Sequence, residues 1–177
     1  MAGDWEVRRF DRAAAAVRAG APRVRIVLDN IRSAFNVGSI FRTSEAAGVE
    51  HIHLCGISAK PDNPKVARTA LGAEASVPWS HHIATLEVLD ALHAEGWQLV
   101  AVELTGRSAP YAAFEYREPC ALVFGHEVAG VPLPVLDRCD AVVEIPMLGR
   151  KNSLNVATSV GIVLFEVVRR RFPGGPT

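Results

Sequence analysis

Glu144-Ile145-Pro146-Met147-Leu148-Gly149-Arg150-Lys151-Asn152-Ser153-Leu154-Asn155-Val156-Ala157, continuing through the run Thr158 to Arg171, is the stretch on which the reading of this chain turns. Its first residues close an apolar segment, Ala141 to Ile145, that reads as a strand and stops at Pro146. A loop with Gly149 and two basic residues follows, and Ser153 or Asn152 can cap the long helix beyond it. The free amides at such a helix mouth suit a carboxylate, a phosphate or a cofactor. Strand, polar loop and capped helix together make the floor of a candidate site, although an ordinary strand-to-helix turn has the same order of parts.

Outward from this stretch the same unit recurs. Leu86 to Glu95 reads as a helix with Thr85 as its cap and Gly96 as its stop, followed by a strand from Gln98 to Leu104 and the loop Thr105-Gly106-Arg107-Ser108. Cys120 to Phe124 is another strand, and it ends in Gly125-His126-Glu127-Val128-Ala129-Gly130. Three strands thus end in polar loops, and open α/β sheets bind ligands at strand carboxyl ends. Upstream, Arg23 to Leu28 reads as a strand ending at the turn pair Asp29-Asn30, and a helix capped by Asn36 runs to Gly48. Arg42 lies six residues beyond Asn36, so the two share a helix face only through a bend at Gly38 or the arginine's length. His51 to Cys55 is a short strand with both histidines on one face. Pro61 to Leu71 leads into a short basic helix with Lys65 and Arg68, and Trp79-Ser80-His81-His82 reads as a surface loop. Asp4 can cap an N-terminal helix from Trp5 to Ala19. The final helix runs from Ser153 to about Phe172 with Val160, Val163, Leu164 and Val167 inward, and residues 173–177 read as a flexible tail. The sum is an α/β chain with a mostly parallel sheet flanked by helices.

With 177 residues, 49% of them hydrophobic, the chain reads as one domain over 1–177 with enough apolar surface for a core. Nineteen basic and nineteen acidic residues cancel, so a nucleic-acid partner would have to be met by a local patch. Cys55, Cys120 and Cys139 lack C-x-x-C spacing, and two of them flank or sit in apolar runs as reduced core cysteines would, which fits a cytoplasmic location. No apolar run approaches the roughly 20 residues of a membrane span. His51 and His53 have no carboxylate or cysteine at ligand spacing, so no metal is expected.

Neither G-x-x-x-x-G-K-[ST], G-x-G-x-x-G nor G-x-S-x-G occurs, which removes the main support for P-loop, dinucleotide and serine-hydrolase chemistry. What remains is a set of polar groups on loops: Asn30, Asn36, Arg42, Glu127, Ser153 and Asn155. In sequence they form Asn30-x5-Asn36-x-Gly-Ser-Ile-x-Arg42, then Leu122-Val123-Phe124-Gly125-x-Glu127-x-x-Gly130, then Ile145-Pro146-Met147 with Ser153-Leu154-Asn155-Val156. This order resembles the three motifs of the SpoU branch of the SPOUT methyltransferases, from Val24 to Arg169.

The resemblance implies a core over residues 22–172 whose C-terminal segment makes a deep trefoil knot, preceded by the helix of residues 1–21. It implies a homodimer, for which Val160, Val163 and their helical neighbours, and Phe35 or Phe41, are interface candidates. It implies S-adenosylmethionine as cofactor, held at Leu104, Thr105, Gly125, Ile145, Met147, Ser153 and Leu154, and methylation of a ribose 2'-hydroxyl in tRNA or rRNA. In that reading Arg42 clamps a phosphate and orients the hydroxyl, and Asn36 and Asn155 fix the arginine and the RNA. Glu127 holds the loop after Phe124, Gly125 leaves room for the cofactor, and Ser153 caps the last helix. The alternative is a non-catalytic RNA-binding or assembly protein that keeps the knot.

Overall fold

The computed structural model describes residues 23–169. In chain order the elements are β1 (Val24–Asp29), α1 (Ala34–Ala47), β2 (His51–Cys55), α2 (Pro64–Ala70), β3 (Trp79–His82), α3 (Thr85–Ala94), β4 (Gln98–Val102), β5 (Ala109–Pro110), β6 (Cys120–Phe124), α4 (Leu133–Leu136), β7 (Ala141–Glu144) and α5 (Val156–Val168), with a 3-10 turn at Ala73–Ala75. The strands pair in the order β3-β2-β1-β6-β4-β7-β5, and every pairing is parallel. The helix expected at Trp5 to Ala19, the continuation of the last helix past Arg169 and the tail at 173–177 lie outside the described residues.

An all-parallel sheet is covered on both faces, so its inner strands carry nearly continuous apolar runs. The period of two divides those runs between two cores. Ile26, Leu28, Leu122, Phe124 and Val100 face α1, α2 and α5, while Val27, Ala121, Val123, Leu99 and Ala101 face α3 and α4. Val160, Val163 and Phe41 are fully buried in the first core. They are therefore unavailable as dimer contacts, because one subunit already uses the faces that carry them. Phe35, at 45% exposure, remains accessible.

Gly38 serves a helix contact. A Cβ there would lie 2.5 Å from the Val66 carbonyl oxygen on α2, so the glycine lets two helices approach each other. Trp79–His82 is a strand rather than a surface loop: its polar side chains hide a backbone that pairs with β2, Ile52 against Trp79. The strand expected through Leu104 ends at Val102, and the one expected through Ile145 ends at Glu144.

Candidate functional site

The loops after β4, β6 and β7 meet around a cavity of about 330 Å³, within the roughly 300–1,000 Å³ of small-molecule sites. Leu104, Gly125, Ile145, Met147, Ser153 and Leu154 line it, as does Glu127. Thr105 does not: its N–H donates to Ser108 Oγ (3.0 Å), within its own turn. The lining includes Glu103, Glu127 and Glu144 but neither lysine nor arginine, which suits a ligand carrying positive charge.

Two of the lining residues owe their places to contacts between loops. Glu103 Oε2 accepts the Val131 N–H (2.8 Å) and Oε1 the Leu104 N–H (2.9 Å), so one carboxylate ties the loop after β4 to the loop after β6. A glutamate directly after an apolar strand was the only sequence signal for this residue. At Gly125 an added Cβ would stand 2.3 Å from the Gly130 carbonyl carbon. The loop's own backbone thus leaves no room for a side chain at Gly125, which itself lines the cavity.

Beside the cavity, Asn36, Glu127 and Asn155 form one directed chain. Asn155 Oδ1 accepts the Ala157 and Thr158 N–H groups at 2.9 and 3.4 Å, and Asn155 Nδ2 donates to Asn36 Oδ1 (3.0 Å). Asn36 Nδ2 then donates to Glu127 Oε1 (3.1 Å). A carboxylate only accepts, so it fixes which way both amides face. Asn155, rather than Ser153 or Asn152, is therefore the cap of α5, and Ser153 stays in the segment that lines the cavity. Likewise Ser33, not Asn36, caps α1 by accepting the Asn36 N–H (3.3 Å), which leaves the Asn36 side chain for the network.

Glu127 also accepts the Ser33 N–H at 2.9 Å and the Arg32 N–H at 3.2 Å. Burial pushes its carboxyl up, but the N–H groups of Ser33, Glu127 itself and Arg32 and the Asn36 amide outweigh burial and hold it below the usual carboxylate range. A depressed folded-state value gives stability that is present above the unfolded value and lost as pH falls through the folded one. The stability gap between wild type and Glu127→Gln should therefore be wide at neutral pH and narrow as acid protonates the wild-type carboxylate. Urea unfolding midpoints of both proteins from about pH 7 to about pH 3 would check it; a gap constant over that range would contradict it.

Arg42 stands apart. It is exposed on α1, outside the cavity lining, and no hydrogen bond or ion pair holds its guanidinium among the described residues. The structure does not bring it into contact with Asn36 or Asn155, which bond to each other and to Glu127.

The two histidines of β2 gain neighbours from β3. His51 Nε2 and His82 Nε2 lie 2.8 and 2.7 Å from Ser80 Oγ, and His53 Nδ1 is 3.3 Å from His82 Nε2. Burial, then His51, His82 and Arg25, push His53 down to about 3, so it stays neutral. No group of three or more His, Cys, Asp or Glu side chains among the described residues is arranged to hold a metal ion. Burial pushes Cys55, Cys120 and Cys139 up to about 12, which keeps all three as unreactive thiols.

The family model of the SpoU rRNA methylases matches residues 23–165. The chain belongs to that family. It is 32% identical over 150 residues to an uncharacterised tRNA/rRNA methyltransferase of Synechocystis, covering 85% of this chain and 54% of that protein. Among solved structures it resembles the SpoU methyltransferase AviRb of Streptomyces viridochromogenes in complex with AdoMet, at 29% identity and a TM-score of 0.78, covering 85% of this chain and 61% of that one. The AdoMet-bound rRNA methyltransferase of Sinorhizobium meliloti is similar at 33% identity and a TM-score of 0.78, covering 88% and 59%. The chain thus spans a little over half the length of these SpoU relatives. Its fold is the SPOUT fold of those neighbours, α/β with a knotted C-terminal segment. Met147, Asn152, Ser153 and Leu154, in the segment before α5, line the same cavity as residues Gly125 to Gly130.

Proposed function

We propose that this SpoU protein transfers a methyl group from S-adenosylmethionine to a ribose 2'-hydroxyl of a tRNA or rRNA, with residues 22–172 as its catalytic core. The observation that carries the reading is the juxtaposition of an acidic, partly apolar cavity with the Glu127–Asn36–Asn155 chain. The residues present fit the cofactor: Leu104, Ile145, Met147 and Leu154 offer apolar surface to an adenine, and the three carboxylates favour a cation. Bound there, S-adenosylmethionine supplies an electrophilic methyl group on a positively charged sulfur.

The protein's part is positioning. A ribose hydroxyl is a weak nucleophile at neutral pH and must be aligned and relieved of its proton. Arg42, whose guanidinium has no hydrogen-bond or ion-pair partner among the described residues, clamps a phosphate and orients the hydroxyl, and a guanidinium is a reluctant base. Glu127, Asn36 and Asn155 lock the starts of α1 and α5 together, and Ser153 lines the cofactor cavity.

The test is to incubate the purified protein with deuterated-methyl S-adenosylmethionine and total RNA, and to map ribose methylation by mass spectrometry. A new 2'-O-methyl nucleotide is expected. Cofactor binding without transfer to any tRNA or rRNA would favour the assembly protein. In the same reading the protein is a homodimer with Phe35 near the interface. Light scattering at micromolar concentration should give twice the chain mass, and a monomer would refute that part.

A further inference from the structure

Asp29 and Thr85 are 3% and 7% exposed and lie outside the cavity lining, at the carboxyl end of β1 and the start of α3. A buried carboxylate is costly unless donors surround it. Here the Thr85 hydroxyl and Asn30 Nδ2 (2.9 Å) both donate to Asp29 Oδ1. Thr85 was expected to cap α3, but the cap position is Ala84 and no side chain bonds there. The hydroxyl is turned toward Asp29 instead.

Asn30 has φ 60°, in the left-handed region that asparagine tolerates better than most residues. Its Oδ1 accepts the Ile57 N–H (3.1 Å), and a Cβ on Gly56 would fall 2.1 Å from that oxygen. One residue on, the Ile31 N–H donates to Ser58 Oγ (2.9 Å), which donates to the Leu28 carbonyl (2.9 Å); Ser58 is 4% exposed. Residues 29–31 are therefore gripped from the loop after β2 and from α3. The next two N–H groups along the chain, those of Arg32 and Ser33, are the ones that hold Glu127.

We infer that Thr85, Asp29, Asn30 and Ser58 are positioning residues: they set the turn after β1 so that the Arg32 and Ser33 amides, and with them the start of α1, meet Glu127. The kinetic consequence rests on the proposed methyl transfer; the geometric one does not. Among the described residues, the groups that hydrogen-bond the Glu127 carboxylate are the backbones of Arg32, Ser33 and Glu127 itself and the Asn36 amide, none of which titrates. The neighbouring His126 spends Nδ1 on the Val128 and Ala129 N–H groups. A change in Glu127 titration therefore reports the position of this turn.

Thr85→Val keeps the side-chain shape without the donor, and Thr85→Ser keeps the donor. In the full-length protein, carbon-13 NMR of the Glu127 carboxyl should show Thr85→Val titrating at higher pH than wild type, and Thr85→Ser should return it. The kcat for RNA methylation should fall about 10-fold in Thr85→Val with KM for the methyl donor little changed, a scale expected of slight misplacement. If Thr85→Val does not fold, Asn30→Gly, which keeps the left-handed turn without the amide, takes its place with the same readouts. A Glu127 titration that superimposes on wild type overturns the inference whatever the activity. If wild type methylates no RNA, the functional reading fails alone and the titration still decides the positioning.

Discussion

Arg42→Ala should lower RNA methylation by about 10² or more while leaving S-adenosylmethionine affinity close to wild type, because the proposed role of this exposed side chain is to clamp an RNA phosphate and it lies outside the cavity lining. Two features of the structure underlie this split. Arg42 lines no part of the cavity proposed to hold the cofactor, and its guanidinium has no hydrogen-bond or ion-pair partner among the described residues, so its removal breaks no such contact there. The stability of the variant should thus match wild type, which separates the loss from unfolding. Arg42→Lys should recover little, since an ammonium cannot reproduce a planar fork that holds two oxygens at once. Single-turnover methylation of a verified RNA, with calorimetry of the cofactor alongside, measures both quantities. Near wild-type transfer by Arg42→Ala would remove it from the mechanism and make Glu127 the next residue to examine.

Gly125→Ala should weaken cofactor binding by about 10-fold or more and destabilise the protein by about 1–3 kcal/mol, the usual range for overpacking. The new methyl would stand 2.3 Å from the Gly130 carbonyl carbon and oxygen and 2.4 Å from the Val131 nitrogen. These are backbone atoms, so no rotamer change relieves the clash and the loop after β6 must open. Opening it also strains the bond from the Val131 N–H to Glu103, which joins two walls of the cavity. Urea unfolding and calorimetry with S-adenosylmethionine would read the two effects. A variant with the wild-type midpoint and affinity would mean that the loop can yield where the packing says it cannot.

The sequence made legible those parts whose signals are local. β2 and β6 appear at the residues expected because apolar side chains bounded by turn formers leave little choice of register. β3 was illegible because Trp79-Ser80-His81-His82 has no strand-like apolar pattern; its conformation comes from pairing with β2, some 27 residues earlier. Capping failed for a related reason. Asn152, Ser153 and Asn155 are each acceptable caps for α5, and the choice falls to Asn155 because Asn36, far away in sequence, takes its amide. The same long-range logic hid Glu103 and the Thr85–Asp29 pair, whose partners are 28 and 56 residues distant. The motif residues themselves were readable, and the structure joins Asn36, Glu127 and Asn155 while Arg42 has no hydrogen-bond or ion-pair partner among the described residues.

The strand order has a consequence for synthesis on the ribosome. β1 is made first among the described strands, yet one of its two neighbours is β6, with Val24 opposite Cys120. Parallel neighbours so far apart close a long loop before any contact rewards them, and such topologies fold slowly. Until Phe124 leaves the exit tunnel, the edge of β1 that will receive β6 has no native partner, and the backbone N–H and C=O groups of that edge lack their ladder bonds. The nascent chain should therefore spend its longest vulnerable interval with β1 half-paired, and chaperones that bind short apolar segments should find their main target there.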